Sequence, residues 1–232
     1  MVADGQAQCS SSGQWSNKYW YEEIEHNGES SFLQGQFKDQ YTVFRNVVKD
    51  YGADNTGSVD AGAAIQAAID SMRHLKKMLM IDEWLMNVGG PKNGPSRNSH
   101  SMGSTGQPAI IYLPGGTYLL ERGLQLYIGT VIVGDPKNPP VLKAPNNFGT
   151  DHIVYAKDPN FGGTINFYIG IKNVVIDSTS VDPNRRMVLL DWTVSQATQL
   201  TNVVFRMPQG AEGHVGMTTE FDYNSNIILV SC

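Results

Sequence analysis

The amino-acid sequence predicts a mainly β fold, a right-handed parallel β-helix with a capping α-helix near its N-terminal end. From Pro108 onward, short β-branched segments alternate with turn residues. Three segments are alike, "KNVVIDS", "TNVVFRM" and "SNIILVS", and their asparagines, Asn173, Asn202 and Asn226, lie 29 and 24 residues apart. One strand motif at such a period is typical of a solenoid, and asparagine before a strand tolerates the left-handed backbone of a tight turn. A jelly roll or immunoglobulin-like sandwich is the alternative, but neither would repeat the same asparagine at the length of a coil.

The capping helix is predicted from the stretch "YGADNTGSVDAGAAIQAAID", residues 51–70. Its second half has apolar residues at helical spacing, Ile65 and Ile69 among them. Ser58 or Asp60 is expected to cap the first helical amides, because side-chain oxygens and negative charge suit a helix N-terminus. A calcium loop needs a different ligand spacing and a phosphate loop needs a preceding lysine, so capping is favoured over both. The helix would cover the apolar end of the first coil.

Composition limits the classes of function. Charged residues make up 17% of the 232 residues, Gly is plentiful at 24, and the net charge is −5. A charged fraction below the usual ~25% favours a turn-rich β protein. The charge is spread along the chain without a large basic block, which argues against a nucleic-acid partner. No apolar run approaches the ~20 residues of a membrane span, so no membrane partner is expected.

The chain is predicted to have an extended N-terminal arm, residues 1–40, and a single β-helix domain, residues 41–232. The arm's aromatic segment "KYWYEEI" is expected to pack on the body, "YTVFRNVVKDYG" to form a strand, and residues 88–107 to form a flexible loop. The first residues lack the apolar core of a signal peptide, so either the chain is not exported by the usual route or its true beginning is missing. Cys9 and Cys232 exclude a disulfide framework and a cysteine-rich zinc site, while their own pairing stays open.

Several segments together resemble one known family. They are "YWYEEIEHNG", "YTVFRNVVKDYGADNTGSVDAGAAIQAAID", "PAIIYLPGGTYLL", "VIVGDPKNPPVLKAP" and "VSQATQLTNVVFRM". They are similar to the N-terminal β-helix region of fungal glycoside hydrolase family 55, the exo-acting β-1,3-glucanases of the pectate-lyase-like superfamily. The resemblance implies two tandem β-helices, secretion, and inverting hydrolysis without a cofactor. It also implies that a second β-helix supplies the catalytic acid. This chain is expected to lack that region, and so to be a C-terminally truncated fragment with weak or no activity alone.

The resemblance also implies candidate site residues. Gln196 in "VSQATQL" and Glu220 in "GMTTEFDYNSN" match polar positions on the cleft side of the first β-helix. Gln196 would orient the attacking water or a sugar hydroxyl, and an amide that bonds backbone between coils is the alternative. Trp192 would bind substrate by stacking on a sugar ring, or else pack in the core. Asp177 and Asp191 follow strands and could form a carboxylate pair, although turn aspartates are ordinary in β-helices.

No metal site and no cofactor are predicted, since the five histidines show no ligand spacing. The predicted partner is β-1,3-glucan or a related polysaccharide, together with a missing second β-helix domain. Two other functions stay open: a non-catalytic β-helix that binds glucan or acts as a scaffold, and a pectate-lyase-like polysaccharide lyase. A lyase would need a basic residue beside a calcium-holding acid group, and Arg185 and Arg186 are the candidates.

Overall fold

The computed structural model describes residues 19–26, 42–71, 108–159, 161 and 163–219. Residues 88–107, both cysteines, Asn226 and Glu220 lie outside these ranges. The helices are α1 (Trp20–Glu23), α2 (Val47–Tyr51) and α3 (Gly62–Asp70), with a 3₁₀ helix at Gly163–Ile165. The strands are β1 (Phe44–Asn46), β2 (Thr56–Asp60), β3 (Ala109–Leu113), β4 (Thr117–Leu119), β5 (Leu124–Gln125), β6 (Thr130–Gly134), β7 (Val141–Lys143), β8 (His152–Tyr155), β9 (Gly170–Asp177), β10 (Met187–Asp191), β11 (Gln199–Arg206) and β12 (His214–Thr218). Within the described ranges, every helix is too short to cross a membrane.

The strands form three faces around one core, and every pairing between described strands is parallel. The first face contains β1, β3, β6 and the first halves of β9 and β11. The second face contains β2, β4, β7 and the second halves of β9 and β11, and the third face contains β5, β8, β10 and β12. Each passage of the chain around the core is called a rung, and the rungs begin at β1, β3, β6, β9 and β11. The predicted parallel β-helix is confirmed.

The repeated asparagines lie at the corner between the first and second faces. Asn173 and Asn202 have φ angles of 56° and 52°, the left-handed backbone that the sequence predicts. Asn202 Nδ2 donates to Asn173 Oδ1 at 3.1 Å, and Asn173 Nδ2 donates to the carbonyl of Gly134 at 3.3 Å. The two residues lie within β9 and β11 rather than before them, because each strand continues around the corner. These stacked amides therefore hold successive rungs in register.

The segment "YTVFRNVVKDYG" is a strand only as far as Asn46, so the prediction of one continuous strand is wrong. Asn46 Oδ1 accepts from the backbone amides of Val48 and Lys49 at 3.1 and 3.0 Å and so caps α2. Gly52 ends α2 with a φ of 71°. The cap and the terminal glycine outweigh the β-branched valines between them.

Asp54, Ser58 and Asp60, polar residues before α3, differ in their roles. Asp60 Oδ1 accepts from the amide of Gly62 at 3.1 Å and so serves the first turn of the helix, as predicted. Ser58 lies within β2 and does not cap α3, so that alternative is wrong. The Asp54 carboxylate instead accepts from the hydroxyl of Thr56 and from backbone amides of its own loop, and these bonds hold its pKa well below the usual range.

Helix α3 takes the place of a third strand in the first rung and covers the end of the core. Ile65, Ala68 and Ile69 are fully buried on its inner side. Full burial of one isoleucine side chain is worth about 1.5–3 kcal/mol. The guanidinium of buried Arg45 donates to the carbonyl of Ala68, where a cation also suits the negative end of the helix. The predicted capping helix is confirmed.

The aromatic segment of the arm packs on the body. Tyr21 lies edge-on to Phe44 and Tyr112, with ring centroids 5.5 and 6.3 Å apart. Tyr112 OH donates to Glu22 Oε2 at 3.4 Å, and burial raises the pKa of this tyrosine. Trp20 differs from its neighbours because it remains 59% exposed.

Candidate functional site

Two of the predicted site residues belong to the corner where the chain leaves the third face for the next rung. Residues 126–129 form this corner after β5, and residues 192–198 form it after β10. Gln196 and Trp192 lie in the second of these connections. Glu220 lies outside the described residues. The first connection, "LYIG", is largely apolar, so the polar side chains of this corner come from the second connection.

Gln196 is exposed on a turn that hydrogen bonds hold on both sides. The amide of Ser195 donates to the carbonyl of Asn166 in the preceding rung at 3.0 Å, and Thr198 Oγ1 donates to the carbonyl of Ser195 at 2.8 Å. Asn166 is itself fully buried. The Gln196 side chain makes no hydrogen bond to any residue that the structure describes. Its amide is therefore free for solvent or a ligand.

The inter-coil role considered for Gln196 is instead performed by Gln125. Its Nε2 donates to the carbonyls of Leu126 and Tyr155 at 2.9 and 3.3 Å, and also to that of Lys157. Two glutamines near the same corner of different rungs thus differ in their contacts: Gln125 is bound to backbone carbonyls, and Gln196 is open to solvent.

Trp192 points into the core. It is 2% exposed and belongs to the main apolar cluster. Its ring offers no open face to a sugar, so the structure favours the core interpretation over stacking. The following residue, Thr193, is also buried and donates through Oγ1 to Asp191 Oδ1 at 2.6 Å.

Asp191 ends β10 on the outer surface of the third face, beside two side chains of β8. Its Oδ2 lies 3.8 Å from His152 Nε2, and the side chains of His152 and Asp191 are 34% and 16% exposed. The ring centroids of His152 and Tyr155 are 5.4 Å apart. We call His152, Tyr155 and Asp191 the third-face cluster. It combines a carboxylate, an imidazole and a phenol, all of which can bind sugar hydroxyls or a water.

Comparison with known proteins decides the family. A family model described as rhamnogalacturonase A/epimerase, pectate lyase-like, matches residues 44–230. The chain belongs to this pectate lyase-like family.

Curated relatives of this pectate lyase-like chain are fungal. A glucan 1,3-beta-glucosidase of Cochliobolus carbonum is 31% identical over 210 residues, which cover 87% of this chain and 24% of that protein. A probable glucan endo-1,3-beta-glucosidase of Arthroderma benhamiae is 35% identical over 84% of this chain and 20% of its own length. The non-secreted LysM effector LysM19 of Penicillium expansum is 32% identical over 84% of this chain and 14% of its own length. The resemblance to glucanases is confirmed, and the chain spans a quarter or less of each of these relatives.

The carboxylate pair considered for this pectate lyase-like chain does not form. Asp177 ends β9 on the second face, where its Oδ1 accepts from the amide and hydroxyl of Thr179 at 2.8 and 2.6 Å. Asp191 ends β10 on the third face and accepts from Thr193. The alternative, ordinary turn aspartates, therefore holds, because β9 and β10 lie on different faces of the same rung.

Arg185 is tied to the preceding rung rather than placed beside an acid. Its guanidinium donates to the carbonyl of Phe148 and, at 2.8 Å, to that of Thr150. Its central carbon also lies 5.8 Å from the centroid of the Phe148 ring. Arg186 is exposed, without a hydrogen bond to another described residue. Neither arginine therefore has the setting that a lyase base needs.

Sequence reasoning missed His152 and Tyr155. The two residues flank two buried apolar positions of a short strand, and nothing in that pattern singles them out. Their importance comes from the register, which pairs Tyr155 with Asp191 one rung later. Only an alignment of the rungs with one another could have found them.

Proposed function

We propose that this chain is the first β-helix module of a β-1,3-glucanase, and that its third face and the adjoining corner bind the glucan chain. The observation that carries the proposal is the exposed Gln196 amide, which has no partner among the described residues and lies on a tightly bonded turn. A primary amide both donates and accepts, so it suits a sugar hydroxyl or an attacking water. The names of the relatives support the substrate class.

The chemistry divides between this chain and the rest of a longer protein. Inverting hydrolysis needs an acid that protonates the leaving oxygen and a water held on the opposite sugar face, with the two carboxyl groups about 6.5–9.5 Å apart. In this proposal Gln196 and Asp191 orient sugar and water, and Asp191 uses Oδ2 because Oδ1 already accepts from Thr193. The catalytic acid belongs to a part of the protein beyond this module, and Glu220 is a further member of the site on the resemblance alone. The chain by itself is expected to bind glucan and to release little or no sugar.

The proposal includes secretion, because a polymeric glucan is too large to cross a membrane. Relatives named glucan 1,3-beta-glucosidase and probable glucan endo-1,3-beta-glucosidase both match, so the names leave open the position of cleavage along the glucan. In the longer protein, glucose as the released sugar would indicate exo action, and longer oligosaccharides would indicate endo action.

Laminarin, a soluble β-1,3-glucan, tests the proposal on the 232-residue chain. The chain should be retarded in a gel that contains laminarin, and Gln196→Ala should weaken binding about two- to tenfold, the value of one hydrogen bond. Gln209→Ala is the matched control, since Gln209 is exposed on a different turn. Equal retardation of Gln196→Ala and the unchanged chain would exclude the corner as the site. Absence of retardation would refute glucan binding. An unsaturated product from pectate with calcium would indicate a lyase instead.

A further inference from the structure

A polar groove lies on the outer surface of the second face. It is an open depression of about 630 Å³, lined by Thr56, Thr117, Leu119, Lys143, Asn146 and Ser180 among others. We call it the second-face groove. It shares no lining residue with the third-face cluster or with the Gln196 corner, so the proposed function does not use it.

The groove follows from the register of three rungs. Thr56 pairs with Thr117 across β2 and β4, and Leu119 pairs with Lys143 across β4 and β7. These side chains therefore form two rows that cross the rungs. Asn146 lies in the turn after β7 and Ser180 in the turn after β9, and they border the groove. The depression is thus built from successive rungs and extends along the direction in which the rungs stack.

Four polar side chains of the groove are unused within the fold. Those of Thr117, Lys143, Asn146 and Ser180 make no hydrogen bond to a residue that the structure describes. Thr56, which also lines the groove, differs because its hydroxyl donates to Asp54 at 2.7 Å. Just outside the groove, the Thr179 hydroxyl donates to Asp177 at 2.6 Å. Two hydroxyls, an amide and an ammonium thus face solvent together, with both donors and acceptors among them.

The charges around the groove do not select an anion. Lys143 is in register with Asp177 on one side and, through Leu119, with Asp60 on the other. One ammonium between two carboxylates leaves no net positive field for an acidic polysaccharide. Half-buried Leu119 adds an apolar floor of the kind that the C–H face of a sugar contacts. The set of groups therefore suits a neutral chain with many hydroxyls.

We propose that the second-face groove binds a neutral oligosaccharide chain, as a site separate from the corner on which the proposed function depends. Its role is to hold the polymer, and no bond is made or broken there. The inference goes beyond the proposed function and does not depend on catalysis by this protein.

Chemical-shift mapping of the ¹⁵N-labelled 232-residue chain with laminarihexaose and cellohexaose tests the inference. Amides of Thr117, Lys143 and Ser180 should shift with at least one of these neutral probes. Asn146→Ala should weaken the binding that these shifts report about fivefold, which is in the range expected for one lost hydrogen bond. Asn147→Ala is the matched control, because the neighbouring asparagine is also exposed but does not line the groove.

One variant in each site distinguishes the second-face groove from the Gln196 corner. Gln196→Ala should leave the shifts in the groove unchanged, and Asn146→Ala should leave those at the corner unchanged. Ser180→Ala provides a second variant on a different turn, with folding of all variants checked by circular dichroism. The inference is overturned if neither hexasaccharide shifts the groove amides, if Asn146→Ala and Asn147→Ala behave alike, or if only an acidic oligogalacturonate binds.

Discussion

Helix α3 lies beside β5, the terminal strand of the third face. A glutamine side chain of this helix bonds the strand's backbone, as a further strand would do. β5 is the terminal strand of that face, so its outer backbone groups have no neighbour among the strands that the structure describes. Gln66 supplies the missing partner: its Nε2 donates to the carbonyl of Gln125 at 3.0 Å, and its Oε1 accepts from the amide of Gln125 at 2.9 Å. The same Nε2 donates to Asp70 at 2.8 Å, which fixes its orientation. Gln66→Ala should therefore destabilise the chain, because it exposes the edge of β5.

The magnitude follows from the two bonds lost to Gln125. Each hydrogen bond contributes about 1 kcal/mol net, so the pair contributes about 2 kcal/mol. Alanine is a better helix former than glutamine by a few tenths of a kcal/mol, which offsets a small part of the loss. The free energy of unfolding should fall by about 1.5 kcal/mol.

Urea unfolding followed by circular dichroism measures this change, with the slope against urea expected to stay constant. Gln209→Ala is the control, because an exposed glutamine without such bonds should change the free energy by less than about 0.5 kcal/mol. Gln66→Glu keeps the acceptor and loses the donor, so it should recover part of the stability lost in Gln66→Ala at neutral pH. It should recover more below about pH 4.3, where the protonated glutamic acid can donate to the Gln125 carbonyl. A Gln66→Ala variant as stable as the unchanged chain would refute the idea that this side chain replaces a strand.

Three further predictions concern the turns. Asn202→Ala should lower the free energy of unfolding by about 1–2 kcal/mol, because it loses the bond to Asn173 and forces alanine to a positive φ. Asn202→Gly should recover the part of this loss that comes from the backbone, and equal urea midpoints for the two variants would contradict the left-handed explanation. Gly134→Ala should lower the melting temperature clearly, since an added Cβ would lie 2.1 Å from the carbonyl oxygen of Asn173; an unchanged melting curve would mean that the corner can move freely. The Thr56 hydroxyl and nearby backbone amides lower the pKa of Asp54, so this carboxylate stabilises the fold above its unfolded pKa near 4, and the contribution is lost as the pH falls through the lower folded value. Asp54→Asn should flatten the decline of urea stability in acid, and parallel pH profiles for the two chains would count against this role.

The parts of the fold that were predictable depend on local physics. Asn173 and Asn202 adopt left-handed backbone because their short polar side chains tolerate it, wherever the rungs lie in space. Helix α3, which covers the end of the core, was predictable from the spacing of Ile65 and Ile69, because helical periodicity is also a local property. The short helix α2 also carries local signals, Asn46 and Gly52, but the valines that follow Asn46 are equally typical of a strand.

The candidate site was predictable only in part. The motif around Gln196 pointed to the corner that the proposed function uses, whereas the burial of Trp192 depends on which side of the connection after β10 faces the core. His152 and Asp191 are distant in sequence and meet because their strands occupy the same face one rung apart. Asp177 and Asp191 are closer in sequence and lie on different faces.

By itself, the sequence determined that the chain winds into repeated rungs closed at one end by a helix, because turn geometry and helical periodicity are local properties. Only the tertiary structure decided which side chains share a face. The length and path of each connection set the register in which the next strand pairs, and composition does not encode that register. The groove on the second face and the cluster on the third therefore became visible only once the rungs were stacked.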